Sequence, residues 1–412
     1  MTIKIGELKH KLLEFRFLSW AVFLATFVVV LINLITVVFP ALLMGSLTGT
    51  KFPVTINLFE TGVWTYPLLV SNLIIFGIMI LYFKNKLPSQ IKKSIKFIFN
   101  FEVSKEVAFL VITILLGTYI ALSVSEIFMV DPWPDFNRYI KPALDVWKIT
   151  NLGVTVEYPY FALLLGIVSQ NVFGNYTTLP FIASIALLIL TYLVTVEISK
   201  KRFAGIIAMV IVLQSGIFLI YDTTITYPNF WVVFYLFSIY MIYKKWPLSS
   251  FSYVFAILSK AVIATLFPMS LFFIFRSSIP RQKKIRLLIS YGIIAVIGIT
   301  IFLIVGVEFQ AAPEFSFHKF LAGFTAFSSQ FRFDGLMIIL MLPLTVGLFF
   351  VSRNGVKDAD SLLFMLLGMF LIAVILPSIT HFTNNPYRWI PFVVFFGIGV
   401  GTLFSKKITK SI

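Results

Sequence analysis

Apolar runs long enough to cross the roughly 30 Å hydrocarbon core of a bilayer recur along this chain from Trp20 to Phe404, separated by short polar loops. Inside a bilayer no water satisfies the backbone, so a spanning segment must close its hydrogen bonds within a helix or a closed barrel. Continuous apolar runs, rather than weak two-residue alternation, favour helices. Composition agrees: 59% of residues are hydrophobic, 12% are charged and the mean hydropathy is +0.98. A soluble domain carries about 25% charged residues, so this chain cannot dress a water-facing surface. The expected fold is all-α, a polytopic membrane protein of about 12 transmembrane helices with interfacial or re-entrant helices in an outer loop. The apolar segment after Phe17 is too long for a signal-peptide core and lacks a small-residue cleavage site, so it reads as a retained first span.

The net charge of +16, from 33 basic and 17 acidic residues, is spread through short loops rather than gathered on one face, which argues against nucleic acid as a partner. Basic loops belong on the cytoplasmic side. The absence of cysteine excludes disulfides, thiolate metal sites and a cysteine nucleophile.

Loop charge orders the spans. The basic, amphipathic N-terminal stretch lies on the cytoplasmic face beside a first span at residues 18–45, and the loop that follows, with one lysine, lies outside. A second span at 65–83 leads to a strongly basic loop containing Lys92, Lys93 and Lys96, and a third at 106–130 delivers Asp131 to the outer face. Residues 131–158 form an external loop. The basic clusters at 200–202, 244–245, 276–286, 353–357 and 406–410 mark later cytoplasmic returns, placing both termini inside a cell membrane and the segments 222–229, 308–335 and 377–389 outside. Residues 1–105 form an N-terminal extension of two spans and a basic loop, ahead of a transmembrane catalytic domain at 106–412. Two segments do not fit full crossings. Residues 158–174 read as an interfacial or re-entrant helix, and 249–275 as a short hairpin kinked at Pro268. Backbone that stops at membrane depth needs protein or a wet cavity around it, which suggests a core hollowed by an outward-facing site.

The chemistry-bearing residues cluster in the outer segments. Asp131-Pro132-Trp133-Pro134-Asp135 holds two carboxylates close to the membrane, with the prolines stiffening the backbone. A helix beginning at Asp135 would let its side chain cap free amides, with Phe136, Tyr139, Ile140, Leu144 and Trp147 at helical spacing. A cap at Asp135 and a membrane-belt role for Trp133 would account for the same residues. Lys260 lies within an apolar segment, where an ammonium costs a few kcal/mol on insertion scales unless it faces a carboxylate, a carbonyl, water or an anion, or snorkels to an interface. Arg388, between Tyr387 and Trp389, has the fork geometry suited to phosphate, and could also anchor to headgroups. His381 shares that outer loop and could bind phosphate, act as a base or be simply solvated. Asp131 and Asp135 could together hold a divalent cation such as Mg or Mn, since hard cations take oxygen ligands. No Gly-rich nucleotide loop is present, so direct use of ATP or a nucleotide sugar is unsupported. Asn175-Tyr176-Thr177 matches a glycosylation acceptor but sits in a tight connection.

Several motifs recur in a fixed order: Asp131 to Tyr139 after a span, Tyr158-Pro159 running into an aromatic-apolar helix that ends at Phe173-Gly174, and the basic turn Lys200-Lys201-Arg202. An outer turn at 222–229, the pair Ser259-Lys260 and the sequence Tyr387-Arg388-Trp389-Ile390-Pro391 complete the set. In this order the chain resembles the GT-C superfamily of membrane glycosyltransferases, which includes protein O-mannosyltransferases and aminoarabinose transferases, over roughly residues 106–405. The acidic pair departs from it, being D-x-x-x-D where many members carry D-x-D.

The resemblance implies a hexosyltransferase that moves a mannose-like sugar from a polyprenyl-phosphate donor to a hydroxyl of a lipid, glycan or protein acceptor on the outer face. It implies Asp135 as general base and Asp131 as a second carboxylate. Lys260 and Arg388, with Arg138 and His381 behind them, would stabilise the lipid-phosphate leaving group, and Tyr139 and Tyr158 would line the substrate site. The alternative from the same residues is a transporter or flippase of a lipid-linked or anionic substrate, with the basic groups binding cargo.

Overall fold

The computed structural model describes residues 2–42, 57–146, 160–305 and 314–406, and every regular element among them is helical. The first part holds α1 (Thr2–Val38), α2 (Thr65–Phe83), α3 (Ser89–Asn100) and α4 (Lys105–Ser123), the last extended by a 3-10 turn, Val124–Phe128. After the Asp131 segment a π-helical turn, Phe136–Ile140, runs into α5 (Lys141–Val146). There follow α6 (Tyr160–Phe173), α7 (Thr178–Ser199), α8 (Arg202–Leu213), α9 (Gly216–Ile220), α10 (Phe230–Tyr243) and α11 (Trp246–Ser259). A 3-10 turn, Ala261–Leu266, precedes α12 (Phe267–Arg276) and α13 (Arg281–Val305). The remainder is α14 (Phe317–Gln330), α15 (Gly335–Arg353), α16 (Asp358–Ile379), a 3-10 turn Pro386–Trp389 and α17 (Ile390–Thr402).

Among the described residues six helices are long and apolar enough to cross a bilayer: Phe17–Val38, Thr65–Phe83, Lys105–Phe128, Thr178–Ser199, Gly335–Arg353 and Asp358–Ile379. Four shorter apolar helices, Phe161–Phe173, Arg202–Leu213, Phe230–Tyr243 and Ala261–Arg276, lie among them. The chain is a multi-pass helical membrane protein. The described residues do not confirm the expected count of about 12 full crossings, since several apolar runs are cut by turns into pieces shorter than the roughly 20 residues that a full crossing needs. The most apolar window of α2 is only 11% buried by protein, whereas that of α16 is 67% buried, so α2 presents its side chains outward and α16 forms the centre.

Close packing at that centre depends on small residues. A Cβ on Gly401 would lie 2.5 Å from the carbonyl oxygen of Ala204, and one on Gly397 would lie 2.9 Å from that of Ala208. These two glycines, four residues apart on one face of α17, let it meet α8 backbone to backbone, the packing that membrane helices use where apolar burial gives no drive. The first helix packs into the same bundle. Phe23 stacks on Phe349 of α15, Trp20 packs against the same ring at a tilt, and Ser19 donates to Asp360 of α16 at 2.7 Å. Asp360 also pairs with the buried Arg276 at the end of α12, so α1, α12 and α16 are tied together through one carboxylate.

The two ends of the bundle differ in chemistry. At one end the turns at 198–200, 277–284 and 355–358 meet around a shared cavity, and Tyr243 donates to Asp358 at 2.8 Å. At the other end the 131–135 segment, the 221–229 turn and the 384–389 turn come together. The segment expected to be a hairpin runs between them: α11 leaves the basic end, the chain turns at Lys260, and α12 returns to Arg276 and Ser277. The break lies at Lys260 itself (φ −163°, ψ 114°), while Pro268 sits unstrained in the first turn of the returning helix. With 14 residues, α11 rises about 21 Å, short of the hydrocarbon thickness. Helix α6 is equally short and stays in the half that holds Lys260, packing through Phe161 on Phe234 and Phe255 and through Gly166 against Ile225.

Asp222 closes the floor of that half. It is 1% exposed, and its Oδ2 accepts from Ser123 at 3.2 Å. Burial pushes its carboxyl up from 3.8 to about 6. The folded protein therefore holds this proton more tightly than the unfolded chain does. The resulting destabilisation grows as pH rises from 3.8 to about 6 and reaches about 3 kcal/mol at neutrality. We predict that the wild-type protein melts at a higher temperature at pH 5 than at pH 7.5, and that Asp222→Asn narrows this gap. An unchanged gap in thermal unfolding of the variant would contradict the assignment.

Candidate active site

Asp131 is buried at 6% exposure and both oxygens of its carboxylate accept hydrogen bonds. Its Oδ2 accepts from the Thr224 hydroxyl at 2.6 Å, the Ile225 amide at 3.0 Å and the Thr226 amide at 3.1 Å, and its Oδ1 accepts from the Trp133 amide at 3.1 Å. Four donors meet the carboxylate, three on Oδ2 and one on Oδ1. Asp131 thus clamps the 131–135 segment onto the 221–229 turn. Removing the acceptor of the buried Ile225 amide and of the Thr224 hydroxyl costs about 1–3 kcal/mol each, so Asp131→Ala should lower the melting temperature by several degrees. Thermal unfolding equal to wild type would refute the clamp.

Asp135 stands differently. A π-helical turn begins beside it, but its side chain caps no amide, contrary to the expected N-cap. Its Oδ2 instead accepts from the Tyr227 hydroxyl at 2.5 Å, and among the described residues nothing donates to Oδ1. Burial, reinforced by this bond to Asp135, holds the Tyr227 phenol well above its ordinary pKa, so it remains a donor at neutral pH. The helix after it is not a free interfacial ribbon either. Phe136 and Leu144 are buried, and Phe136 packs in a small core with Ala162, Ala183, Ile225 and Phe230.

From Tyr227 the site continues through aromatic faces. The Tyr227 ring stacks on Tyr387 with centroids 4.1 Å apart and planes 10° from parallel. Trp133 stacks on Tyr221 at 4.9 Å, and Tyr221 sets its edge against both Tyr227 and Tyr387. Above this group, at the hairpin tip, Lys260 Nζ lies 4.0 Å from the Tyr387 centroid, 6.0 Å from Tyr227 and 5.9 Å from Trp231. Arg388 Nε donates to the Tyr387 hydroxyl at 3.0 Å, its Nη1 to the Thr383 carbonyl at 2.5 Å, and its guanidinium lies 3.9 Å over Phe382. The two cations are near enough to repel each other. Neither forms an ion pair with a carboxylate among the described residues, so ring faces and carbonyls are what compensates them.

The stacked tyrosines divide two openings. On one side a cavity of about 420 Å³ is lined by Trp133, Tyr221, Tyr227, Tyr387, Gln330 and Arg332. On the other a narrow cleft of about 40 Å³ runs beside Arg388 between Trp231, Leu266, Phe382 and Phe392. Both are lined mainly by apolar and aromatic side chains, the narrow cleft also by Thr265, Asn384 and Arg388.

The remaining expected residues fall elsewhere. Arg138 lies over the Tyr139 ring at 5.1 Å on the outward face of its helix, where Tyr139 is 42% exposed, and neither contacts Lys260 or Arg388. His381 is exposed in its loop. Tyr158 lies outside the described residues. Three donors already meet Asp131 Oδ2, and among the described residues no group of three His, Cys, Asp or Glu is placed to hold a metal. Asn175 uses its side-chain oxygen to accept from the amides of Thr177 and Thr178, fastening the start of α7.

Tyr227, Tyr221 and Trp231 were not anticipated. The signal was present in Tyr221-Asp222-Thr223-Thr224-Ile225-Thr226-Tyr227-Pro228-Asn229, an unusually polar turn bracketed by tyrosines in an oily chain. Comparison with protein-family models, with curated proteins and with solved structures gave no match.

Proposed function

We propose that this protein is a membrane glycosyltransferase that moves a hexose from a polyprenyl-phosphate donor to an acceptor hydroxyl, on the outer side of a multi-pass bundle. One observation carries the reading: Lys260, on a hairpin too short to span, is held over the Tyr387 ring beside Arg388, with no carboxylate among the described residues paired to either. Two cations that, among the described residues, meet ring faces, a carbonyl and a phenol rather than a carboxylate make a site for an anion, and the adjoining, mainly apolar cleft suits an anion attached to a hydrocarbon chain. A lipid phosphate meets both conditions.

The chemistry then follows from the groups around it. The acceptor occupies the aromatic cavity, where Trp133 and Tyr221 offer flat faces for a sugar ring. Asp135, through Oδ1, which no donor among the described residues occupies, takes the proton from the acceptor hydroxyl as general base, while Tyr227 fixes the carboxylate through Oδ2. The acceptor oxygen bonds to the sugar C1 as the bond from C1 to the phosphate oxygen breaks, and that electron pair leaves on the phosphate. Lys260 and Arg388 stabilise the charge that develops there.

The leaving product provides the test. Polyprenyl phosphate should bind the detergent-solubilised protein at least tenfold more tightly than polyprenol, and Lys260→Met should remove most of that preference. Equal affinity for the two lipids in the wild-type protein would overturn the assignment of the anion site.

A further inference from the structure

A different kind of surface lies at the opposite end of the bundle, remote from Asp135 and Lys260. Helix α3 (Ser89–Asn100) joins the two least enclosed of the six spans: the most apolar windows of α2 and of the helix Lys105–Phe128 are only 11% and 17% buried. It is strongly amphipathic, and none of its side chains is buried. Residues 84–101 hold five lysines and no acid, and the next acid, Glu102, already accepts from the Arg202 amide at 3.0 Å. Lys92 donates to the Asn85 side chain at 2.7 Å, a neutral partner, and among the described residues Lys93 and Lys96 pair with no carboxylate.

Contacts with the bundle fix how α3 is turned. Phe99 stacks on Phe404 with ring centroids 5.4 Å apart, and the buried Lys201 donates to the Phe99 carbonyl at 2.5 Å. Arg202 donates to the Val103 carbonyl at 3.3 Å and Phe101 sets its ring against Phe203, so the C-terminal end of α3 is fastened to the start of α8. At the other end Phe83, the last residue of α2, packs on Phe350 near the end of α15. Helix α3 therefore lies across the end of the bundle between two fixed points, with Phe99 facing inward. The 3.6-residue period then puts Ile91 and Ile98 on one side of Phe99, and Lys93 and Asn100 on the other. One side is apolar and the other polar. Both spans run from α3 toward the Asp135 end, α2 starting beside Trp64, whose indole donates to the Arg332 carbonyl, and the other leading to Asp131. One side of α3 thus looks along the spans into the bilayer, and the other looks away from it.

We propose that α3 is an interfacial helix that binds the anionic phospholipids of the leaflet at this end, with Ile91 and Ile98 among the acyl chains and Lys93 and Lys96 at headgroup level. An amphipathic helix lies in the interface plane by burying its apolar face at the acyl boundary, and lysines on its polar face add attraction to anionic lipid. The leaflet is the occupant because both ends of α3 are spans already embedded in it. Ile91 is 45% exposed and Ile98 48%, so protein leaves this face open in the direction the spans run. Lipid held by α3 steadies the ends of two spans that protein packing encloses little.

The absence of cysteine allows single spin labels on the full-length protein in nanodiscs. Labels at Ile91→Cys and Ile98→Cys should be reached by oxygen and shielded from a water-soluble nickel chelate, and labels at Ser89→Cys and Asn100→Cys should show the reverse. In detergent, native mass spectrometry should show saturable binding of phosphatidylglycerol in preference to phosphatidylcholine. That preference should fall at least about fivefold in Lys93→Gln/Lys96→Gln, and less than about twofold in Lys245→Gln/Arg286→Gln, which removes the same charge beside α11 and α13. Asp135→Asn and Lys260→Met should change neither reading, since both act at the other end. Equal nickel exposure on both faces would make α3 a solvated helix, and shielding of both faces from nickel and oxygen alike would put protein over it. Either result, or equal loss of lipid in the two double variants, would overturn the proposal.

Discussion

Asp135→Asn is expected to reduce sugar transfer by about 10²–10⁴-fold, the range that removal of a general base usually produces, while leaving thermal unfolding unchanged. The asparagine side chain is nearly isosteric and its oxygen can still accept from Tyr227, so the loop keeps its anchor. Asp135 is only partly buried and supports no other contact among the described residues. What is lost is the ability to take a proton. Transfer assayed with labelled donor, together with melting curves, separates this from the clamp variant Asp131→Ala, in which stability should fall as well. Near-normal transfer by Asp135→Asn would remove the base from the account.

Lys260→Met should have an effect of comparable size by a different route. Electrostatic stabilisation of a developing negative charge is worth about 10²–10³-fold per donor removed, and Lys260 is the cation at the tip of the hairpin. Stability should hold or rise. An ammonium with no carboxylate partner is costly to desolvate, and methionine fills much the same volume against Tyr387 and Trp231. Loss of transfer with retained or increased melting temperature is the expected pair of results. A variant that loses transfer only because it unfolds would point to a structural role for Lys260.

Much of the architecture was legible in the chain because lipid imposes it. The apolar run at 65–83 and the helix Thr65–Phe83 coincide, since nothing but length and hydropathy sets that element. The shorter passes were harder to read. A run such as 249–275 has the composition of a span, and only tertiary packing shows that it folds back at Lys260. The site was half legible for a related reason. Rare charge in an apolar chain drew attention to Asp131, Asp135, Lys260 and Arg388, and the fold links three of them, Asp135, Lys260 and Arg388, through Tyr227 and Tyr387. The resemblance set Asp135 ahead of Asp131, but the clamp made by Asp131 was not legible, because it rests on the amides of Ile225 and Thr226, donors that nearly every residue type carries. Nor could it select Tyr227 from the 16 tyrosines, since stacking partners are a property of the assembled turns.

The most direct measurement is the fate of the donor. Protein in liposomes should be supplied with synthetic hexosyl polyprenyl phosphates and a membrane extract as source of acceptors, and the release of free polyprenyl phosphate followed together with labelled product. The account predicts that one or more donors are consumed, that polyprenyl phosphate and glycosylated product appear in equal amounts, and that Asp135→Asn and Lys260→Met abolish both. Movement of the donor across the bilayer with its sugar still attached, unaccompanied by polyprenyl phosphate, would contradict it and identify a transporter.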